Sequence, residues 1–271
     1  MPLSQALVER VLEGLGLDRA PQPDRAGLAR VYDAWCRKVP FDNVLKRIHI
    51  ASGSPAPLPG DAPAEFFAAW LRHGVGGTCW AGNGALASLL RALGFSAERG
   101  VATMMVGPDP SPNHGTVIVH LDGHRYLVDA SILHGEPLPL GPEETSVAHP
   151  AWGVRAALEG PTRFVHWLPF HTKMACRIDA ETASTDEFRE RHEMTRGWSP
   201  FNHSLSARLN RGDEVIGAAF GQRGHIDAEG RITLRPFDGD ERTRLLVDEM
   251  GLSEEIAAAL PADEPMPPPP R

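Results

Sequence analysis

A chain of 271 residues with 42% hydrophobic side chains is long enough to bury a core without covalent staples. Its three cysteines, Cys36, Cys79 and Cys176, lie far apart with no C-x-x-C pair, which argues against a disulfide framework or a zinc knuckle and points to a reducing, cytoplasmic setting. A net charge of -8 without a long basic run disfavours nucleic acid and anionic membrane as partners, no apolar run is long enough to span a bilayer, and Met1-Pro2-Leu3-Ser4-Gln5 does not open like an export signal.

Leu3, Leu7, Val8, Val11, Leu12 and Leu15 share one helical stripe, and after Pro21 and Pro23 a second helix is predicted over Leu28 to Cys36. Ser52 to Pro63 is rich in Pro, Gly and Ala and reads as a surface connection to a helix over Ala64 to His73. Gly74-Val75-Gly76-Gly77-Thr78 then leads into Cys79 and a helix with Leu86, Leu89, Leu90 and Leu93 on one face, stopped by Gly94. From Glu98 the pattern turns to strands over Val101 to Val106, Thr116 to Leu121, Arg125 to Val128 and, more weakly, Arg163 to Leu168. A short charged helix follows Asp186, then strands near Ser204 to Leu209, Glu214 to Phe220 and Arg231 to Leu234, and a final helix from Asp240 to Leu260. Pro261 to Arg271 has six prolines and no apolar period, so it is expected to be a disordered tail.

A thiol is a weak nucleophile until it is deprotonated, and a helix N-terminus favours the thiolate. Cys79 stands where a glycine turn feeds a helix; Cys36, within the apolar stripe of Val31, Tyr32 and Trp35, reads as a core residue. Asp122-Gly123 between two β-rich runs predicts a two-residue hairpin turn in which Leu121 faces His124. That register puts His114 and Asp129 on one face as diagonal neighbours, roughly 7 to 8 Å apart at the backbone. A thiol at a helix start, with a His and an Asp brought together by register, meets the logic of nucleophile, base and orienter. No H-E-x-x-H spacing accompanies the other histidines, so no metal site is expected.

Several ordered landmarks resemble the arylamine N-acetyltransferase family. Val39-Pro40-Phe41-Asp42-Asn43 is similar to its V-P-F-E-N, Gly76-Gly77-Thr78-Cys79-Trp80-Ala81-Gly82-Asn83 to its R-G-G-x-C-F-E-x-N, and His114 and Tyr126-Leu127-Val128-Asp129 to its later T-H-x and y-L-V-D motifs. The resemblance implies an α+β fold with a cysteine-protease or transglutaminase-like core: a helical bundle over 1–97 bearing Cys79, a β-barrel over 98–203 bearing His114 and Asp129, and an α/β lid over 204–260. It implies a ping-pong acyl transfer in which Cys79 takes an acyl group from acyl-CoA, acetyl-CoA by default, and passes it to a small-molecule amine. No bound cofactor is expected. Relatives that close macrolactam rings from an acyl carrier protein suggest that carrier as an alternative donor. Phe41, Trp80, Ile132 and Phe201 match positions near the family's active site and are expected to line the substrate pocket.

Val75 stands where the motif has Arg, and Ala81 where it has Glu; Ala130-Ser131-Ile132-Leu133 replaces V-G-F-G. The departures leave two other readings open, a hydrolase on the same three residues and a catalytically idle binding protein.

Overall fold

The computed structural model describes residues 2–107 and 110–268. Its first helices begin where side chains satisfy free backbone amides. Helix α1 (Gln5–Gly14) starts at Ser4, whose hydroxyl accepts from the Leu7 amide, and α2 (Arg25–Lys38) at Asp24, whose carboxylate accepts from the Gly27 amide at 2.7 Å. Strand β1 (Phe41–Asp42), α3 (Val44–Ala51), α4 (Pro63–His73) and α5 (Cys79–Ala92) follow. Pro63 opens α4, and Gly74 closes it in the left-handed region (φ 71°). Trp35 and Tyr32 of α2, Phe66 and Phe67 of α4, and Leu86 and Leu90 of α5 pack into one core.

The middle of the chain supplies β2 (Ser96–Met104), β3 (His114–Leu121), β4 (His124–Val128), β5 (Leu138–Pro139), β6 (Thr145–Val147), β7 (Val154–Glu159), β8 (Thr162–Trp167) and β9 (Met174–Ala180). They form an antiparallel sheet in the order β5-β4-β3-β2-β9-β8-β7-β6, whose end strands β5 and β6 meet and nearly close a barrel. The β3–β4 hairpin has the expected register: Leu121 pairs with His124, and Asp122 (φ 49°) and Gly123 (φ 76°) both take positive φ. Strands β7 and β9 went unread in the sequence because each buries only part of one face and carries charged or small residues on the other, so apolar alternation is weak.

Helix α6 (Thr185–Met194) precedes the second sheet, made of β10 (Ala207–Arg211), β11 (Glu214–Ala219), β12 (Gln222–Ile226) and β13 (Ile232–Pro236). Strand β1 joins its edge, with Phe41 opposite Arg208 and Asp42 opposite Ala207. The N-terminal segment is therefore stitched into the lid, and Phe41 also bridges to Gly77 in the turn that leads to Cys79.

Two expectations are corrected. The single closing helix is divided into α7 (Glu241–Arg244), a π turn over 245–249 and α8 (Glu254–Ala259), broken at Gly251, which takes φ 78°. The start of the proline-rich tail is not loose: Asp263 accepts from the buried Arg47 guanidinium at 2.7 Å and from the Leu205 amide at 2.9 Å, and Trp198 Nε1 donates to the Pro267 carbonyl. Proline removes helical period, but it does not stop a chain being tied down by side chains from elsewhere. Residues 269–271 of that expected tail lie outside the described residues.

A chain ended at Leu260 leaves Arg47 buried without its carboxylate. We expect a loss of about 2–3 kcal/mol, the scale of a charged hydrogen bond left unmade, measured as a lowered urea midpoint against the full chain.

Candidate active site

Cys79 is the first residue of α5, and Thr78 before it makes no side-chain capping bond, so the opening amides of the helix have no hydroxyl partner there. Backbone geometry sets the preceding turn. A Cβ on Gly76 would sit 1.7 Å from the Pro40 carbonyl oxygen, so only glycine permits this approach. The Gly76 amide donates to Asp42 Oδ2 at 2.6 Å, the Asp42 amide donates to the Gly77 carbonyl at 3.2 Å, and Val44 N donates to the other Asp42 oxygen. Burial lifts Asp42 from its ordinary 3.8 to about 6, although the two amides pull it down.

His114 begins β3, and Asp129 follows the last residue of β4. The structure brings them together: His114 Nε2 donates to Asp129 Oδ2 at 2.7 Å, and the Cys79 side chain lies near enough to favour a charged imidazole. Cys79 Sγ lies 3.9 Å from the Asn113 carbonyl. All three residues are buried: Cys79 is 6% exposed, His114 2% and Asp129 0%. Burial opposes a charged His114, but the Asp129 carboxylate and the Cys79 side chain outweigh it and raise the imidazole to about 10. Burial likewise opposes the Asp129 charge, yet His114 and the Ser131 and Ile132 amides hold its carboxyl below the usual range.

Two further residues support this group and were not singled out from the sequence. Asn83, one turn along α5 from Cys79, donates to the Gly115 carbonyl at 2.6 Å and accepts from the Ala130 amide at 2.9 Å, so it ties both strand ends to the helix that carries Cys79. Its signal was its place in the motif around Cys79. Tyr32 had none beyond an apolar stripe, but its hydroxyl donates to the Asp129 carbonyl at 2.9 Å and accepts from the Asp129 and His134 amides.

The four expected pocket residues separate. Phe41 and Phe201 meet edge-to-face at 5.3 Å, both half-buried, and Phe41 bridges to Gly77. Trp80 instead packs edge-to-face on Phe188 of α6 at 4.9 Å, and Ile132 is buried among barrel residues such as Ile118 and Leu127. Val75 is fully buried with Val44 and Leu205, and Ala81 touches the helical core with Gly60 held close to it, so apolar packing fills both places where a charged residue was missing. Leu133 adopts φ 56°, a left-handed conformation that glycine would accept without strain; its carbonyl accepts from Asn210 Nδ2, and its amide donates to the Asp129 carbonyl.

A family model described as N-acetyltransferase matches residues 26–166, just over half of the chain and the part that holds Cys79, His114 and Asp129. The chain belongs to the N-acetyltransferase family. The arylamine N-acetyltransferase of Mycolicibacterium smegmatis is 33% identical over 125 residues, an alignment spanning 44% of this chain and less than half, 43%, of that relative. Among solved structures, the arylamine N-acetyltransferase of Salmonella typhimurium superposes with a TM-score of 0.77 at 18% identity, covering 95% of this chain and 98% of that one. The Mycobacterium marinum arylamine N-acetyltransferase in complex with CoA gives 0.75 at 16% identity over 93% and 97%. At such identities the likeness shows the shared fold: helical bundle, barrel and lid. Among the described residues no helix is long and apolar enough to cross a membrane.

Tyr32→Phe leaves the Asp129 and His134 amides without their acceptor, and is expected to cost about 1–3 kcal/mol in thermal or urea unfolding while slowing iodoacetamide alkylation of Cys79. The stability pH profile follows from the raised His114: its charged form contributes fully below 6.5, and that contribution is lost as pH rises through about 10. Asp129, whose value is depressed, contributes above its ordinary 3.8 and loses this as pH falls below it. Melting temperatures between pH 6.5 and 10 should therefore fall more steeply for the natural chain than for Asp129→Asn; parallel curves would contradict the pairing.

Proposed function

We propose that this N-acetyltransferase family member moves an acyl group from acetyl-CoA to a small-molecule amine through a thioester on Cys79. The observation that carries the reading is the buried group of Cys79, His114 and Asp129, with the carboxylate on one ring nitrogen of His114 and Cys79 Sγ 3.9 Å from the carbonyl of the residue before His114. Asp129 holds the imidazole in one orientation and favours its protonated form, so His114 can keep the thiol proton while Cys79 is a thiolate.

In the first half-reaction the Cys79 sulfur attacks the thioester carbonyl carbon. The tetrahedral adduct collapses with cleavage of the bond to the CoA sulfur, His114 gives its proton to that leaving thiolate, and the acyl group stays on Cys79. Amide donors at the uncapped start of α5 suit the negative oxygen formed on the way. In the second half an amine nitrogen attacks the Cys79 thioester, His114 takes the proton the nitrogen sheds, and the carbon–sulfur bond to Cys79 breaks. The CoA held by the M. marinum relative supports acetyl-CoA as donor. The burial of the three residues favours amine transfer over hydrolysis, because a dry site leaves water little access to the acyl-enzyme. An intact hydrogen-bonded group speaks against an idle binding protein.

Incubation with acetyl-CoA and no amine should add one acetyl mass to the natural chain and none to Cys79→Ala. His114→Ala should slow this labelling by about a hundredfold or more. Free acetate in place of an N-acetyl product, in the presence of excess amine, would turn the reading to hydrolysis.

A further inference from the structure

Next to the Gly76–Thr78 turn lies a cavity of about 150 Å³, bounded by Lys46 of α3, Phe66 of α4, Pro59 and the turn itself, with Glu65 on the exposed rim. A space of that size holds a benzene-sized guest. Lys46 is the unusual member. It is 5% exposed, and its ammonium makes one hydrogen bond, to Thr195 Oγ1 at 2.8 Å; among the described residues no carboxylate lies within ion-pair distance of it. An ammonium has three donors, and a buried cation without a counter-charge is costly. Asp42 also lines the cavity, but its two oxygens are turned to the Val44 and Gly76 amides, which donate to them. Burial pulls Lys46 down from 10.5 to about 8, and the cavity it lines is walled by Gly77 and Thr78, the two residues that lead into Cys79.

We propose that this cavity is an anion-accepting subsite in which Lys46 receives the carboxylate of a substrate whose reacting end lies at Cys79. The inference rests on the thioester reading above and deepens it. The carboxylate supplies the missing counter-charge and takes the two unused donors, while the Phe66 wall accommodates a short methylene stem. It arrives either on the acyl chain, as in a dicarboxylic acyl-CoA, or on the amine acceptor, as in an aminobenzoate.

Two arms separate these sources. In the first, Cys79 labelling is timed by intact mass with succinyl-CoA and with butyryl-CoA, in the natural chain and in Lys46→Met. In the second, the acetylated enzyme is offered 4-aminobenzoate or 4-methylaniline, again in both chains. A charged hydrogen bond of the usual strength predicts a preference for the carboxylated compound of about tenfold or more in one arm, lost in Lys46→Met and retained in Lys46→Arg. If neither preference depends on Lys46, the subsite is refuted while acyl transfer stands. If no CoA thioester labels Cys79, acyl transfer fails, and the subsite is judged on the natural chain alone. Glutarate should then slow iodoacetamide alkylation of Cys79 severalfold where glutaramide does not, and equal rates would overturn it. The same comparison decides the matter if Lys46→Met does not fold.

Discussion

Asp129 is a carboxylate with no access to water, and a charge in that position survives only if protein donors replace the solvent it has lost. It has them: His114 on one oxygen, the Ser131 and Ile132 amides on the other, and Asn83 at the longer distance of 3.4 Å. The donors come from three places in the chain. The β3–β4 hairpin supplies His114, the chain just past β4 supplies the two amides, and α5 supplies Asn83. Tyr32 of α2 then grips the Asp129 backbone on both its carbonyl and its amide. The helical bundle and the barrel are thus held in register around one ionised group, and Cys79 sits on the same helix, α5, that answers the charge.

The surroundings of Cys79 show a different solution to a related problem. Where the family motif places Arg and Glu, this chain has Val75 in the lid-side core and Ala81 in the bundle core. Without that charged pair, the turn is held by main-chain contacts: Gly76 pressed against Pro40, Asp42 receiving its amide, and β1 anchored to the lid sheet. Leu133 carries a comparable substitution, a buried leucine in a backbone conformation suited to glycine, kept there by two hydrogen bonds. These changes make the region around Cys79 more apolar, and Lys46 is a buried cation at the cavity beside the same turn.

The legible parts of the molecule were those written in local chemistry. Asp122-Gly123 fixes a hairpin turn because both residues tolerate positive φ, and the period of two then decides which residues share a face. Glycines before Cys79 and leucines after it announce a turn entering a helix. The illegible parts were those whose reason lies elsewhere in the chain. Strands β7 and β9 gain their stability from neighbours rather than from alternation, Pro261 to Pro268 is held by Arg47 and Trp198, and the helix drawn through Leu260 gives way at Gly251.

Local patterns in the sequence therefore determined the mixture of helices and strands, the start of α5 and the pairing of His114 with Asp129 through one hairpin, and the family resemblance implied the α+β class. Tertiary structure alone decided that Cys79 reaches that pair, that Tyr32 and Asn83 support it, that Trp80 and Ile132 pack inward while Phe41 and Phe201 meet, and that Lys46 is buried beside the turn. The physical reason is separation along the chain. A turn or a cap is settled within a few residues, whereas a buried charge is settled by whichever distant groups folding brings within hydrogen-bond reach.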